Sequence, residues 1–168
     1  MSPNLSGRIR RPVTRAVSVL LLAALSTAAV AAGQVEAQFV EPARFSDAGF
    51  GELEIGRTVD VLTRRLQSYS SRLPAGQTLR VEVLDVDLAG TVLPGSRRNL
   101  RVLNGRADAP VIRLRYALSS EGRPLQAGED RLTDLDYLGA SPLKQVTGDY
   151  GHELRLLDRW FNERFAAP

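Results

Sequence analysis

The strictest constraint in this chain is the run Ile112, Leu114, Tyr116 and Leu118, in which apolar residues alternate with Arg113 and Arg115. A period of two sends successive side chains to opposite sides of a strand, so this strand has one face in a core and the other in water. Ser119-Ser120-Glu121-Gly122 follows with hairpin chemistry, and residues 125–132 return antiparallel. The consequence is a one-sided sheet, whose apolar face must be covered by another layer.

Two helical stripes can supply that layer. Ile55, Val59, Leu62, Leu66, Tyr69 and Leu73 recur at spacings of four, three, four, three and four, the pattern of an amphipathic helix. Ser46-Asp47 can cap it, Gly49, Gly51 and Gly56 weaken its front, and Pro74-Ala75-Gly76 ends it, so its secure part is residues 54–72. The second stripe is Tyr150, Leu154, Leu157, Phe161 and Phe165, with Trp160 beside it.

The remaining strands are weaker. Val35, Ala37 and Phe39 alternate with Glu36 and Gln38 before Pro42. Leu79, Val81 and Val83 alternate too, but Leu84, Val86 and Leu88 continue on the opposite parity. A bulge or bend at Val83-Leu84 reconciles the two runs and turns Asp85 and Asp87 away from the core. Residues 89–96 read as a Gly/Pro loop, residues 100–103 as a short strand, and Gly128 as a second bulge. The fold class expected is therefore α+β: a single, mostly antiparallel sheet of four to five strands with two helices on one face, in the order β-α-β-β-β-β-α. Residues 34–168 make one such domain.

Residues 1–33 are read apart from it. A basic segment with Arg8, Arg10, Arg11 and Arg15 precedes an uncharged stretch built around Val17, Val19, Leu20, Leu21, Leu22 and Leu25, and Ala29-Val30-Ala31 offers an A-x-A cleavage pattern. This is the pattern of a cleaved secretory signal peptide, with the mature chain beginning near residues 32–34; Pro12-Val13-Thr14 is a poor continuation of a twin-arginine signal. The bias of 21 Arg to one Lys suggests a GC-rich bacterial genome, so the expected compartment is the periplasm or the medium. No stable membrane insertion is expected after cleavage.

Removing this segment changes the charge argument. The whole chain carries +3, but its first 33 residues hold four arginines and no acid, leaving 18 basic against 19 acidic residues. The basic balance that would suggest nucleic acid thus disappears. The chain also lacks Cys and has one His, which removes disulfides, thiol catalysis, lipid attachment through cysteine and ordinary zinc sites. No cofactor is expected.

Three constellations remain as candidates. Asp85, Asp87 and Asp134 are weak metal candidates, since Asp85-Val86-Asp87 and Asp134-Leu135-Asp136 place carboxylates at alternate positions near strand ends. The same groups suit acid–base hydrolysis, or ion pairs with Arg97, Arg98, Arg101, Arg113 or Arg115 on a charge-laced sheet face. Arg97, Arg98, Arg101 and Arg106 form a local basic cluster that suits a phosphate, an envelope polyanion or an acidic partner protein. It lacks interleaved aromatics, which argues against nucleic acid. His152 has no Gly-x-Ser-x-Gly nucleophile to serve, and no catalytic residue is assigned.

Several of these segments together resemble a known family. Leu73-Pro74-Ala75-Gly76-Gln77-Thr78-Leu79, Asp85-Val86-Asp87-Leu88-Ala89-Gly90, Arg101-Val102, Arg115-Tyr116, Gly128-Glu129, Leu132-x-Asp134 and Leu157-Asp158-Arg159-Trp160-Phe161 are similar to the secreted proteobacterial family called domain of unknown function 3016. The resemblance covers essentially all of the mature chain and implies no activity. The reading that follows is a non-enzymatic domain outside the cytoplasm that binds another cell-envelope component, a protein or a polyanion. A divalent-cation or small-ligand binder is the alternative, and a carboxylate-dependent hydrolase a more remote one.

Overall fold

In the computed structural model, residues 32–93, 101–139 and 149–165 are described. Strand β1 (Gln34–Phe39) leads through helix α1 (Gly51–Ser68) to β2 (Gln77–Asp87). A two-residue strand pair follows, β3 (Thr91–Val92) and β4 (Arg101–Val102), then β5 (Val111–Ser120), β6 (Arg123–Thr133) and α2 (Gly151–Phe165). Four strands form the sheet in the order β1-β2-β5-β6, while β3 and β4 pair only with each other. The α+β class and the two helices on one face follow the sequence pattern, but two details differ. Thr91–Val92 is a short strand where a loop was expected, and β1 joins β2 in parallel. The helix between β1 and β2 is the reason: a crossover returns the chain to its starting end, which makes the pair parallel.

The bulge at Val83-Leu84 is present. Register with β5 shifts between Val83 and Asp85, so Val81, Val83, Val86 and Leu88 all reach the core although their parity changes midway. The neighbouring edge adjusts to it. The Val40 amide donates to the Val83 carbonyl, a 3-10 turn at Pro42–Arg44 leaves the sheet, and Asp47 rejoins it through bonds to Val86 and Leu88. Gly128, by contrast, is no bulge: it stands in register opposite Tyr116, and the β5–β6 irregularity falls instead near Leu125, between the Leu118–Gln126 and Ser119–Pro124 pairs. Gly128 lies under the Tyr116 ring, where a Cβ would come within 3.0 Å of the phenol oxygen. The hairpin turn at Glu121-Gly122 carries positive φ at both residues, the left-handed pair that a two-residue loop requires.

Helix α1 begins at Gly51 with Phe50 at its N-cap, earlier than the secure part read from sequence and not at Ser46-Asp47. The Glu54 carboxylate accepts the Phe50 amide and so offsets the glycine-weakened start. The helix ends at Ser68 and tightens into a 3-10 turn at Tyr69–Arg72. Its Leu62, Leu66 and Tyr69 meet Leu79, Val81, Val83, Ile112, Leu114 and Tyr116 of the sheet, together with Leu156, Leu157, Trp160 and Phe161 of α2, in one core. Tyr69 stacks on Phe161 at 4.3 Å, and Trp160 sets its edge against Tyr116 while its indole N–H donates to Asp130. Because both helices share one face, Arg113, Arg115 and Ala117 on the other face of β5 are exposed.

Candidate functional site

Two regions hold the candidate residues: a polar corner where β2 ends and α2 begins, and the open face of the sheet. At the corner, the acidic pair has partners that alternation alone cannot name. Asp85 accepts the Ser46 amide at 2.7 Å and the Ser46 hydroxyl at 2.8 Å, tying the rejoining segment to the bulge. Its cross-strand neighbour is Arg113, yet among the described residues Asp85 and Asp87 form no ion pair with Arg101, Arg113 or Arg115. Arg97 and Arg98 lie outside the described residues. Arg101 is instead held by Asp47, at 2.7 and 2.8 Å from its two carboxylate oxygens, and donates to the Ala89 and Gly90 carbonyls. Of the proposed basic cluster, Arg101 is thus committed within the fold, and Arg106 is exposed.

Asp87 is the opposite case. Partial burial raises its carboxyl pKa above the ordinary value, the nearby carboxylates of Asp47 and Asp85 add to this, and Arg101 and Arg131 only partly offset it. The two aspartates should therefore respond differently to substitution. Asp85→Ala is expected to cost about 1–3 kcal/mol, the net value of two hydrogen bonds lost at a partly solvated site. Asp87→Asn removes an ionisation that folding disfavours, so its stability relative to wild type should rise as pH rises through the Asp87 titration. Urea denaturation of both variants at pH 4 and pH 8 checks this; equal losses at both pH values would contradict the assignment.

Asp134 lies apart from this pair. It follows β6 on the helix-covered side, is 9% exposed, and is met by Arg155 at 3.4 Å and Arg159 at 3.8 Å. The three aspartates are not gathered, and no group of three or more His, Cys, Asp or Glu suited to a metal ion occurs among the described residues. His152 sits edge-on to Tyr137 at 4.7 Å with its Nδ1 buried and unpartnered. Burial lowers its pKa, Arg155 adds to the effect, and Asp134 opposes it. Tyr137 donates to Asp108 at 2.6 Å, with its hydroxyl pKa pushed up to about 12 by burial and that carboxylate. These contacts anchor loops, and none of them among the described residues brings a nucleophile to His152.

Glu153 is not among the residues that the sequence pattern singles out. It is 1% exposed in the first turn of α2, and one carboxyl oxygen accepts the Ala89 amide at 2.7 Å. A signal was available: Glu153, Leu157 and Phe161 are spaced i, i+4, i+8, so this acid occupies the apolar stripe. Asp47 was also legible only as a cap, because its bond to Arg101 spans 54 residues.

The open face carries charge in rows. Arg80 bonds Glu36, and Arg115 lies between Glu82 at 3.1 Å and Glu129 at 3.5 Å. The cross-strand pair Ala117–Ala127 has nothing beyond Cβ to place between these rows. A trough of about 460 Å³ results, with Ala117, Ala127 and Gly128 beneath and Arg80, Glu82, Arg115 and Glu129 around it. Its volume is within the range of small-ligand or side-chain sites.

The fold thus defines a two-layer α+β domain with one covered and one open sheet face. Residues 33–163 match the family model described as "Protein of unknown function (DUF3016)", and the chain belongs to that family. No curated protein matches it. The segments that carried the resemblance have structural duties: the 88–90 corner holds Glu153 and Arg101, Asp134 meets α2, Gly128 makes room for Tyr116, and Trp160 reaches Asp130. No helix among the described residues is long and apolar enough to cross a membrane.

Proposed function

We propose that this is a secreted, non-enzymatic domain that binds another protein of the bacterial cell envelope through the open face of its sheet. The observation that carries the reading is the Ala117–Ala127 trough, an apolar floor on a face otherwise laced with ion pairs. Walls of both signs complement a polypeptide segment better than a uniformly charged polymer. The polyanion alternative is weakened further because Arg101 is held by Asp47. Structural duties for the family-like segments support binding over hydrolysis. Secretion rests on the leader-like residues 1–33.

A photo-crosslinker at position 127 in the native envelope tests this reading. It is expected to capture one protein that a crosslinker at exposed Asn162 on α2 does not, and Ala127→Trp should weaken that association about tenfold or more with little change in melting temperature. Equal capture from both positions, or a partner indifferent to Ala127→Trp, would remove the open face from consideration. Capture of a small molecule alone would favour the ligand-binding alternative.

A further inference from the structure

We propose that Glu153 is a proton-operated latch: uncharged, it closes the first turn of α2 onto the corner at residues 88–90, and ionised, it releases that turn. The geometry is that of a group built into the fold in its neutral form. Its side chain is 1% exposed, one oxygen accepts the Ala89 amide at 2.7 Å, and Oε2 is buried with no hydrogen-bond partner. A buried carboxylate normally gathers several donors, and one left with an empty oxygen is costly.

Arg101, a cation that favours the ionised form, is already committed. Arg101 on β4 directs one nitrogen at both Asp47 oxygens and another at the Ala89 and Gly90 carbonyls. Asp47, on the segment between β1 and α1, places a second carboxylate near the same arginine and opposes a charge on Glu153. Tyr137, beyond β6, is also within electrostatic reach of Glu153, and its hydroxyl is held protonated by burial and Asp108. On α2 itself, burial keeps the neighbouring His152 toward its neutral form. Arg101 favours the anion electrostatically, with the Ala89 amide and Glu153's own amide as donors. Burial outweighs them and raises the Glu153 pKa above its usual 4.5. Ionised Glu153 then gains solvation only if the helix turn moves off the corner.

The sign of the pH dependence follows. The folded protein keeps this proton at pH values where the unfolded chain has released it, so the Glu153 contribution to stability falls as pH rises above the ordinary carboxyl value. Glu153→Gln retains the shape without the ionisation. Melting temperatures of the purified wild type and E153Q from pH 4.5 to pH 9 should therefore diverge, the variant gaining on wild type by several degrees toward high pH. Groups common to both proteins, such as Asp108 and His152, cancel in that difference. Over the same range the Ala89 amide of the wild type should exchange faster than base catalysis alone requires, while that of E153Q follows the simple trend. A constant difference in melting temperature overturns the latch. Should E153Q fail to fold, the ¹³C shift of the Glu153 carboxyl in wild type decides: a protonated carboxyl well above pH 5 supports the latch, and a carboxylate at pH 5 overturns it.

Discussion

Phe161→Ala is expected to destabilise the domain by about 3–5 kcal/mol, the cost of truncating a buried aromatic residue. For a domain of this size that lowers the melting temperature by on the order of 10–20 °C. Phe161 is 1% exposed, stacks on Tyr69 at 4.3 Å, tilts against Phe165 at 5.5 Å and lies under the Arg72 guanidinium at 4.7 Å. It joins the end of α1 to the middle of α2, so its removal leaves a cavity between two elements that neither can close alone. Phe161→Leu keeps most of the volume and should lose about 1–2 kcal/mol. Calorimetry of the pair checks the ranking; an alanine variant within 1 kcal/mol of wild type would mean that α2 does not pack as described.

Gly90→Ala should be strongly destabilising for an added methyl. Gly90 has φ +80°, and a Cβ there would lie 2.7 Å from the Val102 carbonyl oxygen and 2.6 Å from a Leu103 methyl. The left-handed backbone and the collision are each expected to cost about 1–3 kcal/mol, giving a loss of about 2–6 kcal/mol together. Gly122→Ala is the matched control, since Gly122 has φ +78° with nothing within 4 Å. The excess loss at Gly90 over Gly122 in chemical denaturation therefore measures the collision. Equal losses would show that the β3–β4 pair is not held against this corner.

These substitutions also show where the sequence was informative. The buried stripes of β5 and α1 were legible because packing against one face imposes a repeat that local spacing reveals. Even the bulge in β2 was visible, as a change of parity between Val83 and Leu84. Gly128 was misread because a glycine inside a strand pattern has two explanations, a bulge or a close neighbour, and only the position of the Tyr116 ring separates them. Arg101 was counted with its sequence neighbours as a basic cluster, yet its partner Asp47 lies 54 residues away.

Local pattern was enough to reveal the layers of this protein: the two helices and the main strands, which of their sides are apolar, and that a one-sided sheet needs both helices against it. Those properties follow from periodicity, which is local. Tertiary structure decided the parallel pairing of β1, the Ser46 anchor for Asp85, the separation of Asp134 from the other aspartates, and the burial of Glu153. It also made the Ala117–Ala127 trough, whose floor and walls come from three strands. Each of these depends on distances between residues far apart in the chain. Hydrogen bonding, desolvation and space for a ligand are set by those distances, and residue order does not encode them until the chain has folded.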